Sequence, residues 1–115
     1  MNLLIKAILS TLLFVITAYS LYFYISPSVT VINRSEHLIT KASVNLPMSH
    51  LNFGSIEHKH TNTIYYSLSQ NDGSYQYSFK IADEVITGTC GYLTNNEINK
   101  RWVITVSKSN RIYCN

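Results

Sequence analysis

The feature that most constrains this chain is an apolar run close to its N-terminus. No charged residue stands between Lys6 and Arg34. Residues 7–25 are apolar except for serine, threonine and tyrosine. Together with residues 3–5 they can cross a hydrocarbon core about 30 Å thick, at about 1.5 Å of helix rise per residue. Because backbone polar groups in lipid must be hydrogen-bonded within the segment, this run is predicted to form one transmembrane helix.

The end of the run carries the residues expected at a membrane surface. Aromatic rings with polar tips settle at the membrane–water interface, and the predicted interface residues are Tyr19, Tyr22, Phe23 and Tyr24. Pro27 lacks an N–H and restricts the residue before it, so the helix should end there. We therefore expect an anchor at residues 1–26 and an exported domain at residues 27–115.

A cleaved signal peptide is the alternative to a retained signal anchor. Lys6 supplies a short positive region, and Ala18, Tyr19 and Ser20 form an acceptable cleavage site. Cleavage after Ser20 would leave residues 21–25 as an exposed apolar N-terminus, and the apolar run is longer than usual for a signal peptide. The retained anchor is therefore favoured, and the domain is exported in either case.

Both cysteines, Cys90 and Cys114, fall in the predicted domain. An even number of cysteines in a small exported domain indicates a disulfide, which would stabilise the fold by roughly 3 kcal/mol through loop closure. Two unrelated buried thiols are the alternative. Charges on the two flanks of the apolar run are nearly balanced, so the predicted orientation depends on this disulfide. We expect a bacterial inner-membrane protein with a single pass, its N-terminus in the cytoplasm and its domain in the periplasm.

After residue 26 the composition favours strands and turns, because Ser, Thr, Asn, Tyr, Val and Ile dominate. Turn signals recur about every ten residues, as in β-sandwiches and small barrels. The predicted strands are residues 29–32, 38–46, 51–56, 63–69, 74–81, 85–93, 102–107 and 112–114. Asn71, Asp72 and Gly73 give the clearest hairpin signal, and they predict that the strands on either side pair with each other. The predicted fold is all-β, a small two-sheet immunoglobulin-like antiparallel β-sandwich behind one transmembrane helix.

Four histidines are the first candidates for chemistry. His58 and His60 could present imidazoles on one side of an extended segment, and His50 could approach from the preceding loop. Three such nitrogens would suit copper or zinc. A solvated polar loop that happens to carry histidines is the favoured interpretation, so no cofactor is expected, and a periplasmic copper- or zinc-binding protein is the alternative function.

Catalysis and nucleic-acid binding have little support in the sequence. There is no nucleophile elbow, and the acidic residues fall in predicted turns or at strand edges, so no enzymatic activity is expected. The net charge of +3 is small and scattered, whereas nucleic-acid binders usually show a basic stripe. Amphipathic aromatic residues are enriched at binding hot spots, and the candidate binding surface comprises Tyr65, Tyr92, Trp102 and Tyr113. The predicted function is a non-catalytic protein-binding module of the cell envelope, either an accessory subunit or an immunity-type protein.

Overall fold

A computed structural model describes residues 2–115 as one N-terminal helix followed by eight strands. Helix α1 spans Asn2–Ile25, and none of its residues is buried in the domain. The strands are β1 (Ser28–Asn33), β2 (Ile39–Asn45), β3 (His50–Ile56), β4 (Thr61–Tyr65), β5 (Gly73–Ile81), β6 (Glu84–Leu93), β7 (Arg101–Val106) and β8 (Ile112–Cys114). All eight predicted strands are therefore confirmed, most of them within one or two residues at each end.

Helix α1 is the one described helix that is long and apolar enough to cross a membrane. Its 24 residues measure about 36 Å at about 1.5 Å per residue, slightly more than a hydrocarbon core. Hydroxyl groups inside the run bond back to the helix, as Thr11 Oγ1 does to the Ala7 carbonyl at 2.9 Å. Length and composition fit a membrane anchor and a signal sequence equally. As predicted, the helix ends just before Pro27.

The strands form two four-stranded sheets that pack around one core. The first sheet has the order β4-β1-β7-β8 and the second the order β3-β2-β5-β6. The core combines alternate residues of both sheets, as the period of two in a half-buried strand requires. Its fully buried members include Val29 and Val31 of β1, Val44 of β2, Phe79 of β5 and Ile104 of β7.

The sheets are not purely antiparallel, which corrects one part of the predicted fold. Strand β1 pairs parallel with β7, from Ser28 opposite Arg101 to Asn33 opposite Val106. The other pairings are antiparallel. A parallel pair requires a crossover connection rather than a tight turn, and here the whole second sheet lies in the chain between β1 and β7. That long-range pairing leaves no local signal in the sequence.

The predicted hairpin at Asn71, Asp72 and Gly73 is wrong. Strand β4 pairs with β1 in the first sheet, whereas β5 pairs with β2 and β6 in the second. After Tyr65 the chain crosses between the sheets, and the Tyr66 N–H bonds to the Pro27 carbonyl at 3.0 Å. Gly73 does not adopt a positive φ. A side chain there would overlap the ring of Pro47, so the glycine permits close packing instead of a hairpin turn.

The tight hairpin of the second sheet lies one strand further on. Ile81 pairs with Glu84, so Ala82 and Asp83 form a two-residue turn between β5 and β6. Ala82 has a φ of 54°, which matches the positive φ that such turns require. The turn holds β5 and β6 in register along most of their length, with Tyr75 opposite Cys90.

Candidate binding surface

A disulfide joins the two sheets along one side of the sandwich. Cys90 of β6 is bonded to Cys114 of β8, with their Cα atoms 6.3 Å apart. Strand β6 is the outermost strand of its sheet and β8 the outermost of the other. We call this side, made by residues 84–93 and 112–114, the β6–β8 side. The predicted cross-link is therefore present and ties together two sheet edges.

Strand β6 is the longest strand and lies at the edge of its sheet, where Lys100 Nζ donates to the Tyr92 carbonyl near the end of the strand. Its ten residues carry one charge, Glu84, and no proline. Natural edge strands usually carry lysines, prolines or covering loops, because an open edge presents unpaired N–H and C=O groups to any other strand. Strand β8 has only three residues, from Ile112 to Cys114. Of the two edge strands on this side, β6 is therefore much the longer.

Two of the four candidate aromatic residues lie on the β6–β8 side. Tyr92 at the end of β6 is 58% exposed, and Tyr113 in the middle of β8 is 56% exposed. Between Cys90 and Tyr92, Gly91 has a φ of 72°, and a side chain there would overlap the ring of Trp102. Glycine at this position lets β6 approach β7 closely while the next residue, Tyr92, stays exposed.

The other two candidates have partners inside the protein. Trp102 is half-buried and stacks on Tyr75, with ring centroids 5.2 Å apart and planes 7° apart. Tyr65 at the end of β4 packs edge-to-face against Phe23 at 5.1 Å. Trp102 therefore joins β5 to β7 across the sandwich, and Tyr65 belongs to the junction with the helix.

A buried tyrosine pair lies beside Trp102. The phenol oxygens of Tyr66 and Tyr75 are 2.7 Å apart and share a hydrogen bond. Burial raises the pKa of Tyr75, and the bond to Tyr66 raises it further. Burial also raises the pKa of Tyr66. Both phenols are therefore neutral at physiological pH, and each satisfies the other's polar group inside the core.

Arg101 ties the domain to the end of helix α1. Its guanidinium Nη2–H donates to the carbonyls of Phe23 at 2.9 Å and Tyr24 at 3.3 Å, and its Nη1–H donates to the Ser26 carbonyl. The Asn99 N–H donates to the Ile25 carbonyl at 2.8 Å. A cation and N–H donors at a helix C-terminus satisfy its unpaired carbonyls and oppose its dipole.

The predicted interface aromatics all lie in the last two turns of α1. Tyr19, Tyr22 and Tyr24 are exposed, whereas Phe23 is half-buried against Tyr65. We use the name helix-proximal end for the end of the sandwich where Ser28, Tyr65 and Arg101 pair side by side. Sequence reasoning missed Arg101, because the helix-end carbonyls to which it donates lie more than 70 positions away in the chain.

The structure does not bring the three candidate metal-binding histidines together. His50 begins β3 and bonds to Asn45, whereas His58 follows the end of β3. The strand separates them by about 20 Å, at about 3.3 Å per residue. The Nδ1–H of His58 donates to the Ser35 carbonyl, and that of His60 to the His58 carbonyl at 3.0 Å. Among residues 2–115, no three His, Cys, Asp or Glu side chains are placed to hold a metal ion.

Comparison with known proteins adds evidence on the fold alone. No protein-family model and no curated protein sequence matches the chain. Among solved structures, it is similar to one described as the NMR structure of a protein from Eubacterium rectale. The TM-score is 0.56 over 78% of this chain and 86% of that chain, at 10% sequence identity. The description of that protein names no function, and a likeness at this identity concerns architecture only.

Proposed function

We propose that this protein is a membrane-anchored, non-catalytic binding module that takes up an extended segment of another envelope protein along strand β6. The observation that carries the proposal is that β6, ten residues long with a single charge, is an edge strand of its sheet. In strand addition, main-chain hydrogen bonds supply affinity and pockets for alternate side chains supply specificity. An accessory subunit of an envelope complex and an immunity-type protein both fit this mode of binding.

Exposed aromatic residues support the same side of the sandwich. Tyr92 and Tyr113 flank the disulfide and present amphipathic rings, which are enriched among binding hot spots. The disulfide holds β6 and β8 at a fixed separation, so an incoming strand would meet a preformed surface. A rigid surface loses less conformational entropy on binding than a mobile one.

The proposed location is the bacterial inner membrane, with the N-terminus in the cytoplasm and the domain in the periplasm. Helix α1 has the length of a single membrane pass, and the Cys90–Cys114 bond suits an oxidising compartment. Tethering would also raise the local concentration of a partner that is itself confined to the envelope.

We further propose that the sandwich is immunoglobulin-like in its packing but not in its strand connectivity. An inter-sheet disulfide with a tryptophan packed beside it is a feature of immunoglobulin domains, and Trp102 packs here against Gly91, next to Cys90. The connectivity differs, because the consecutive strands β1 and β2 lie in different sheets.

The proposal is tested by photo-crosslinking in cells that produce the full chain. A benzophenone amino acid replaces Thr87, Thr89 or Tyr92 on β6, and the matched control carries it at Asn52 on β3. Asn52 is also exposed, and β3 is the opposite edge strand of the same sheet. We expect one envelope protein to be crosslinked from β6 at least about fivefold more than from Asn52.

Strand addition also predicts where the crosslinks fall in the partner. Moving the probe from Thr87 to Thr89 should move the crosslinked residue by about two positions along one extended segment, since side chains alternate along a strand. Equal crosslinking from Asn52, or crosslinks scattered over the partner, would contradict the proposal. In the same cells, proteinase K added to spheroplasts should digest the domain; a protected domain would overturn the proposed orientation.

A further inference from the structure

The loop between β6 and β7, residues 94–100, has one apolar side chain, Ile98. Glu97 accepts a hydrogen bond from the Thr94 N–H and forms an ion pair with Lys100, with the charged atoms 2.9 Å apart. The Asn96 N–H donates to the Leu68 carbonyl at 2.9 Å. These polar groups of the loop thus bond within the protein, whereas Ile98 is 63% exposed.

Ile98 lies at the level where helix α1 ends. The next residue, Asn99, bonds through its N–H to the Ile25 carbonyl at 2.8 Å. Because the Ile98 carbonyl carbon is bonded to that nitrogen, it lies within about 5 Å of the end of the helix. If α1 spans the hydrocarbon core, the headgroup region extends about 5–7 Å beyond the end of the helix. The backbone of Ile98 then lies inside the headgroup layer.

The junction between helix and domain is held by several contacts. Arg101 bonds to three carbonyls at the helix end, and its guanidinium carbon lies 5.6 Å from the centroid of the Tyr65 ring. The Ser28 N–H donates to the Lys100 carbonyl at 2.9 Å. Only Ser26 and Pro27 separate α1 from β1, and both are buried. The helix-proximal end therefore keeps one face toward the membrane.

We propose that the helix-proximal end of the domain docks on the phospholipid surface, with Ile98 inserted among the headgroups. An isolated exposed isoleucine at the level of the helix end suits a layer that is partly apolar. Lys100 is paired with Glu97, and Arg101 is bonded to carbonyls, so the contact does not require anionic lipid. An open cleft of about 400 Å³ between Tyr22 and Tyr65–Leu68 lies at the same level. This inference depends on the anchor of the proposed function.

Brominated lipids test the depth of Ile98 directly. The full chain carrying Ile98→Trp is placed in zwitterionic phosphatidylcholine nanodiscs with bromines near the headgroup end of the acyl chains. Leu38→Trp is the matched control, because Leu38 is 44% exposed and lies beside the first residue of β2, at the far end of the sandwich. The unsubstituted chain, with Trp102 alone, supplies the background.

We expect the added emission of Ile98→Trp to fall at least twofold in the brominated nanodiscs and to shift to the blue. The emission of Leu38→Trp should not change. Equal behaviour of the two variants in nanodiscs that contain the chain would overturn the lipid contact while leaving the anchor intact. A blue shift without quenching would place a protein surface over Ile98 and would also overturn it. A chain that fails to insert into nanodiscs would remove the anchor itself.

Discussion

At the scale of single residues, the Tyr66–Tyr75 pair shows how a polar group is accommodated in this core. Tyr75 is fully buried and Tyr66 nearly so. Each hydroxyl is satisfied by the other, so neither ring loses the benefit of apolar burial. The cost of removing one partner falls on the hydroxyl that remains, which no longer has water or protein to bond.

Tyr66→Phe should therefore destabilise the domain by about 1–2 kcal/mol, because it leaves the Tyr75 hydroxyl buried without a partner. Tyr66→Phe/Tyr75→Phe should cost less than the sum of the two single changes, since both hydroxyls are then absent. Urea unfolding of the full chain in detergent, followed by Trp102 fluorescence, measures both quantities. Strictly additive single changes would show that the two phenols are not coupled.

The same pair predicts how stability depends on alkaline pH. The pKa of both phenols is raised in the folded state, so the unfolded chain loses these protons first, near its ordinary pKa of about 10. Stability from the pair is complete below about pH 10 and is lost as pH rises beyond that value. The urea midpoint should therefore fall more between pH 9 and pH 11 for the natural chain than for Tyr66→Phe/Tyr75→Phe. An equal fall of the urea midpoint in both chains would show that other groups cause the loss of stability at alkaline pH.

At the scale of elements, the stability of the two edge strands on the β6–β8 side depends on the disulfide that joins them. Strand β8 has three residues and pairs only with β7, so local structure alone holds it weakly. Gly88 and Gly91 reduce the side-chain packing of β6, and a side chain at Gly88 would overlap the Tyr77 hydroxyl. The covalent bond compensates by restricting the unfolded chain.

Cys90→Ser/Cys114→Ser should lower the free energy of unfolding by about 3 kcal/mol, as expected for a closed loop of some 25 residues. Amide hydrogens of β8 should exchange first, and those of β5, which is central in its sheet, should exchange last. Thr89→Ser, a change of similar size one residue from Cys90, is the control. An unchanged urea midpoint after reduction of the natural chain would contradict this prediction.

At the scale of the whole molecule, under the proposed membrane anchoring, the junction with α1 decides which surfaces face the membrane. Arg101 and Asn99 fix the helix-proximal end against the end of the helix. His58 and His60, at the opposite end of β3 and β4, are then directed away from the bilayer. The β6–β8 side runs between the two ends, where a partner in the same membrane can reach it. The proposed strand addition thus uses β6, and the proposed lipid contact uses the loop that follows it, which meets β6 where Lys100 donates to the Tyr92 carbonyl.

Local pattern accounts for the part of this fold that could be predicted. The apolar run predicts α1 because its length matches a membrane and Pro27 ends it. Alternation such as that of Tyr75, Tyr77 and Phe79 predicts strands, since side chains alternate between the two faces of a sheet. The disulfide could be predicted because the chain has only two cysteines, which allow one pairing. Each of these signals lies within a few residues or in a simple count.

The sequence by itself thus determined the anchor-like helix, the eight strand positions and the disulfide. Only the tertiary structure decided which strands pair, as the failed hairpin at Gly73 and the parallel β1–β7 pair show. It also decided that Trp102 packs inside, that His50 lies far from His58, and that Arg101 holds the helix end. The physical reason is that pairing and docking energies arise between residues distant in the chain. Such contacts impose no periodicity on the segments that make them.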